Sequence, residues 1–259
     1  MGSQTISLFR YLMLGILNLR LLALVVILVA LGALFSGFIT ELAIINSQQI
    51  AEALLADILR YSLVVLILLV VITNVSEDFQ FRQFERLLTM PVSRWQYIVA
   101  QFILVAILAG ILCLPVFLVI SMSTSVELGL YWAVAIWLEM MLVGLVGLLA
   151  ILSLEKIPLA VFFSLAIYLL AKLSGLISQM ISESVRLSDG SVASRVTEMI
   201  FNGILYVIPR LEAFAQNDVF FDRLDLLPIL SNQLITFIVY AMFLLGVCMI
   251  DFYRKEFNL

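Results

Sequence analysis

The 259 residues carry 64% hydrophobic and only 12% charged side chains, with a formal net charge of −4 and no histidine. A soluble domain holds roughly 45–50% apolar and about 25% charged residues, so this much apolar surface needs lipid as its solvent. The same balance excludes a basic nucleic-acid surface, and without histidine the commonest general base and metal ligand are missing.

Only helices and closed barrels satisfy their backbone hydrogen bonds in hydrocarbon. The apolar runs are long and unbroken rather than short and alternating, which selects helices. The expectation is an all-α integral membrane protein of six transmembrane helices.

Ahead of the first span, Ile6, Phe9, Leu12, Met13, Ile16 and Leu17 recur at helical spacing, with Ser7, Arg10, Tyr11 and Asn18 largely opposite. This pattern predicts an N-terminal interfacial helix, or else an upstream extension of the span. The first span covers 21–39; it is longer than a signal-peptide core and lacks an A-x-A-like cleavage site, so it reads as retained. A polar stretch with Glu41, Asn46, Gln48, Gln49, Glu52, Asp57 and Arg60 leads into the second span, about 58–75.

The following loop, 76–94, reads SEDFQFRQFERLLTMPVSR. Ser76 is placed to cap a short helix over 77–90, with Glu77 and Asp78 in its first turn near the positive end of the dipole. Phe81, Phe84 and Leu88 repeat on one face, and Arg82, Gln83, Glu85 and Arg86 lie away from it. Pro91 biases Met90 out of the helical region, and Ser93-x-x-Gln96 resembles a capping box that starts the next span. Such a helix either rests on headgroups or docks into a cytoplasmic partner.

The third span covers 95–121 with Pro115 inside it, the fourth 128–152, the fifth 157–181 and the sixth 229–250. Cys113 and Cys248 fall inside apolar runs and read as small buried hydrophobes rather than a disulfide or ligand pair. Lys and Arg weighted over the short loops place Arg10, Arg20, Arg82, Arg86, Arg94, Lys156, Arg254 and Lys255 inside, so both termini are expected in the cytoplasm. Arg60 is counted on the outer side with Arg186, Arg195, Arg210 and Arg223.

Glu139 and Lys172 stand out, because an unpaired charge at the bilayer centre costs about 2.5–3.5 kcal/mol on insertion scales. At 1.5 Å per residue they lie at depths of roughly 16 and 14 Å on adjacent antiparallel spans, so an intramembrane charge pair is expected. It would be structural, or would contact substrate in a central cavity; otherwise Lys172 snorkels away. In the long outer segment 182–228, Val196, Met199, Ile200, Gly203, Ile204 and Val207 share one face of a helix stopped near Pro209. That helix would be re-entrant or interfacial, a plain cover, or a docking surface for a periplasmic accessory protein.

The run FERLLTMPVSRWQYIVAQF at 84–102 resembles the signature of ABC type-2 transporter permeases. Those proteins carry an acid, a Leu-Leu pair, a Pro, a small residue and an Arg between their second and third spans. Glu85, Leu87, Leu88, Pro91, Val92, Ser93 and Arg94 occupy these positions, with a departure at Gln83–Phe84, where many members have small polar residues. YVIPRLEAF at 206–214 and FYRKEF at 252–257 are similar to the family's Pro-containing outer stretch and basic ending.

The resemblance implies a non-catalytic permease subunit of an ABC exporter in the inner (plasma) membrane. It also implies two separate ATPase subunits and a second permease copy or paralogue. The coupling helix at 77–90 would receive the ATPases' motion through Glu77, Phe81, Phe84, Glu85, Arg86, Leu87, Leu88, Pro91 and Arg94. The outer segment, with Ile204, Val207 and Pro209, would help close an outer gate.

The chain has no G-x-x-x-x-G-K-[ST] loop, so ATP and magnesium would belong to the partner and no cofactor to this chain. The apolar and small polar lining fits a lipid-like, amphipathic or peptide substrate. A haem- or copper-maturation-type permease is the nearer rival. A secondary transporter would more usually show inverted repeats and broken helices, and a histidine-dependent intramembrane enzyme lacks its base.

Overall fold

The computed structural model describes residues 47–80, 94–187, 209–214 and 226–254, with isolated helical positions between 24 and 38 and at 199 and 203. Five long helices account for most of these residues: α1 (Ser47–Gln80), α2 (Arg94–Ser123), α3 (Val126–Leu154), α4 (Ile157–Leu187) and α5 (Leu226–Arg254). A 3-10 turn, Leu211–Ala213, precedes α5. All five helices are long and apolar enough to cross a membrane, which marks a multi-pass helical membrane protein. The expected first span at 21–39, and the interfacial helix before it, lie largely or wholly outside the described residues.

The helices overrun the predicted spans, most of all α1, which starts eleven residues before position 58. At 1.5 Å per residue its 34 residues reach about 51 Å, beyond a hydrocarbon core of about 30 Å. At its other end α1 runs unbroken through Ser76 to Gln80. Ser76 therefore stands inside a helix rather than ahead of one, and it is buried within α1. Glu77 belongs to the last turns of this helix rather than to the start of a separate one. The buried ladder of α1 runs up to Ser76 through Val71, Ile72 and Val75. Pro115 sits inside a continuous α2.

Tight links set the order. Ser125 caps α3 by accepting from the Leu128 amide at 3.3 Å, and only Thr124 and Ser125 separate α2 from α3. At the other end Glu155 adopts a left-handed conformation (φ 58°) and returns its amide to the Ile151 carbonyl at 3.1 Å. Hence α2, α3 and α4 are successive antiparallel neighbours. Contacts between Gln233 and Tyr131, and between Ser153 and Asp251, run α5 parallel to α3.

α3 is the axis of the bundle. It packs on α1, α2, α4 and α5, and 83% of its apolar window is buried, against 22% for α5. The core collects around Trp132, Ile136, Leu138, Leu142 and Leu148 of α3, with Leu63, Ile67 and Ile72 of α1 and Ile98 and Ala109 of α2. Tyr97 of α2 stacks on Phe252 of α5, their rings 5.7 Å apart, closing the far end. Outward faces of α4 and α5 present Phe162, Leu169, Leu176, Ile238 and Met242, as a lipid-facing surface requires.

Candidate functional site

The polar centre of the bundle is built from the middle of α3. Glu139 is fully buried and sits beside Trp132, Ile136 and Leu142 on the most enclosed helix. Its Oε2 accepts from Arg60 Nε of α1 at 2.5 Å. Oε1 accepts from the Tyr168 hydroxyl of α4 at 3.2 Å and lies 3.7 Å from Lys172 Nζ, one turn further along α4. One carboxylate thus ties three helices together.

Both cations also reach a fourth element. Arg60 Nη2 donates to the carbonyls of Phe214, at 2.5 Å, and Leu211, at 3.4 Å. Lys172 Nζ donates to the Leu211 carbonyl at 3.4 Å. From α5, Gln233 Nε2 donates to the Ala213 carbonyl at 2.8 Å and to the Tyr131 hydroxyl at 3.0 Å. The 209–214 turn therefore has three of its carbonyls held by side chains from α1, α4 and α5. Pro209, Leu211 and Phe214 are buried. The Leu211 carbonyl also accepts from the Phe214 amide within the 3-10 turn, and these side chains supply further donors where no ladder is available.

Aromatic faces complete the shell. The Arg60 guanidinium lies 6.0 Å from the Trp132 ring centroid, and the Lys172 ammonium 5.8 Å from that of Tyr61. On α4, a Cβ at Gly175 would collide with the Glu212 carboxylate, so glycine here lets the turn lie flat against the helix. Lys172 is the looser cation: its side chain keeps 15% exposure, against 3% for that of Arg60.

The structure brings Glu139 and Lys172 within ion-pair distance, but Arg60 is the nearer partner. Arg60 is not an outer-loop residue: it is 2% exposed inside α1. The signal was the apolar stripe itself. Ala56, Leu63 and Ile67 are buried at spacings that include position 60, so the stripe extends through Arg60 and back towards Ala51. Gln233 falls inside the expected sixth span, 229–250, where no role was read for it.

Phe81, Phe84, Glu85, Arg86, Leu87, Leu88 and Pro91 lie outside the described residues, as do Ile204 and Val207. Arg94 begins α2, and Glu77 is exposed near the end of α1. Cys113 and Cys248 are both free and buried, on α2 and α5. Among the described residues no group of acidic or cysteine side chains is placed to hold a metal ion. Compared with known protein families, characterised proteins and solved structures, the chain matches none.

Proposed function

We propose that this chain is the permease subunit of an ATP-driven ABC exporter in the inner (plasma) membrane, with both termini in the cytoplasm. The observation that carries the reading is the run FERLLTMPVSRWQYIVAQF at 84–102, whose order of acid, Leu-Leu, Pro, small residue and Arg resembles that of ABC type-2 permeases. Its position is favourable. The run joins the end of α1 at Gln80 to α2 from Arg94, and both helices pack on α3, so a push there would reach the Glu139 centre.

Two ATPase subunits would hold ATP and magnesium, and a second permease copy or paralogue would complete the path. This chain supplies no chemistry; it changes shape. The 209–214 turn, read as the tip of a re-entrant segment with Ile204, Val207 and Pro209 at the outer gate, would close the path to a lipid-like, amphipathic or peptide substrate. The Arg60–Glu139–Lys172 centre would set how far α1 and α4 can move about α3.

The test is co-expression with candidate ATPases from the same gene neighbourhood, purification in mild detergent, and an ATPase assay. A stable complex is expected, and Glu85→Ala with Arg94→Ala should reduce ATPase attachment or activity severalfold. A wild-type chain that retains no ATPase overturns the reading.

A further inference from the structure

A cleft of about 720 Å³ opens between the first turns of α3 and α5. Its volume falls within the roughly 300–1,000 Å³ of small-molecule sites. On the α3 wall, Glu127, Leu130, Tyr131 and Val134 follow one another at helical spacing; Leu226 and Leu230 form part of the α5 wall. Among the described residues of the lining, Glu127 is the one that carries a charge.

The lining is graded along the membrane normal. The 29 residues of α3 reach about 43 Å, the full thickness of a bilayer with its headgroups. Glu127, in the first turn, therefore stands at headgroup level, while Val134 lies about 10 Å further in, at acyl-chain level. A carboxylate above and leucine and valine below match one molecule with a cationic donor at its head and a hydrocarbon tail. The N-terminal ends of α3 and α5 flank the mouth and favour a phosphate beside that cation.

We propose that this cleft binds a single bilayer lipid with a phosphate and a primary ammonium in its headgroup, of the phosphatidylethanolamine type. The ammonium pairs with Glu127, and one acyl chain lies along Leu130 and Val134. An anionic glycerol headgroup offers the Glu127 carboxylate no cation to pair with. The occupant also touches Tyr131, whose hydroxyl accepts from the same Gln233 amide that holds the Ala213 carbonyl. Lipid in the cleft is thus two hydrogen bonds, both made by Gln233, from the 209–214 turn. The site is independent of whether an ATPase docks on the chain.

The full chain, purified in detergent, would be put into nanodiscs of phosphatidylcholine mixed with equal phosphatidylethanolamine and phosphatidylglycerol. Retained lipid would be read by native mass spectrometry after release from the disc. Wild type should retain one phosphatidylethanolamine over phosphatidylglycerol by roughly two- to five-fold, the scale of one exposed ion pair. Glu127→Gln, a conservative change at an exposed position, should remove that preference. Val134→Trp should fill the cleft and lose the retained lipid, whereas Ile238→Trp, on the exposed face of α5, should keep it. Equal retention of the two lipids by wild type overturns the proposal, as does a preference that survives Glu127→Gln.

Discussion

Arg60, Glu139 and Lys172 form an unequal triad, and their inequality makes a ranking. Glu139 bonds to Arg60 at 2.5 Å, but Lys172 stands off at 3.7 Å and keeps a partly exposed side chain. Removing one partner of a buried ion pair costs about 3–5 kcal/mol, because a charge is left behind unpaired. Arg60→Ala should therefore destabilise the protein by about that much, and Lys172→Ala by clearly less, since Glu139 keeps Arg60. Unfolding of the purified variants in detergent tests the order, and a Lys172→Ala variant as unstable as Arg60→Ala would refute it.

This residue scale was only partly legible in the sequence. Depth arithmetic placed Glu139 and Lys172 at one level, because both lie within uninterrupted apolar runs. Arg60 was read as loop because Glu52, Asp57 and Arg60 fall within nine residues, and their mixed charges masked the buried stripe beneath them. The carbonyls of Leu211, Ala213 and Phe214 leave no mark in a sequence at all: every residue has one, and only the fold decides which must be satisfied by side chains.

Among elements, the α2–α3 hairpin and the 209–214 turn depend on close approach. A Cβ on Gly129 would lie 2.9 Å from Ser121 Cβ and 3.1 Å from its backbone, which cannot swing aside. Gly129→Ala should then cost about 1–3 kcal/mol, the range of overpacking. Gly246, on α5, has nothing within 4 Å of such a Cβ, so Gly246→Ala should be neutral or gain up to about 1 kcal/mol from helix propensity. Thermal unfolding of the pair separates packing from propensity.

Gly175 is a third case, because the obstacle is the far end of the Glu212 side chain. Gly175→Ala should be tolerated if Glu212 can rotate away, and Gly175→Leu should lift the turn off α4. A cysteine introduced at Ala213 should become more reactive to a maleimide in the Leu variant, whose native Cys113 and Cys248 are buried. Unchanged labelling would mean that the turn does not rest on Gly175. The sequence placed these helices well but misjudged their ends, since hydropathy marks where lipid begins rather than where a helix stops. α1 continues beyond its apolar run into polar residues at both ends.

At the scale of the molecule, the described residues form one buried helix, α3, packed by four others. With α3 so enclosed, movement of α1 and α2 must be rigid-body motion about it rather than repacking of its core, since cores are close-packed and resist gradual deformation. Under the exporter reading, a disulfide engineered to join α1 to α4 across the Arg60–Lys172 level should leave ATPase docking intact. It should abolish stimulation of ATP turnover by substrate, and reductant should restore that stimulation. Stimulation that persists in the oxidised form would show that α1 and α4 need not part.

The short Thr124–Ser125 link also carries a chronological consequence. During synthesis α2 and α3 emerge almost together, and a link of two residues leaves no room for α2 to settle alone before α3 follows. The pair must enter the bilayer as one hairpin, bringing Glu139 with it. Arg60 is made earlier and Lys172 later, so the buried acid arrives where one counter-charge already waits and the other is yet to come. The tighter contact is with the partner that came first, and the looser cation completes a helix assembly already neutralised at its centre.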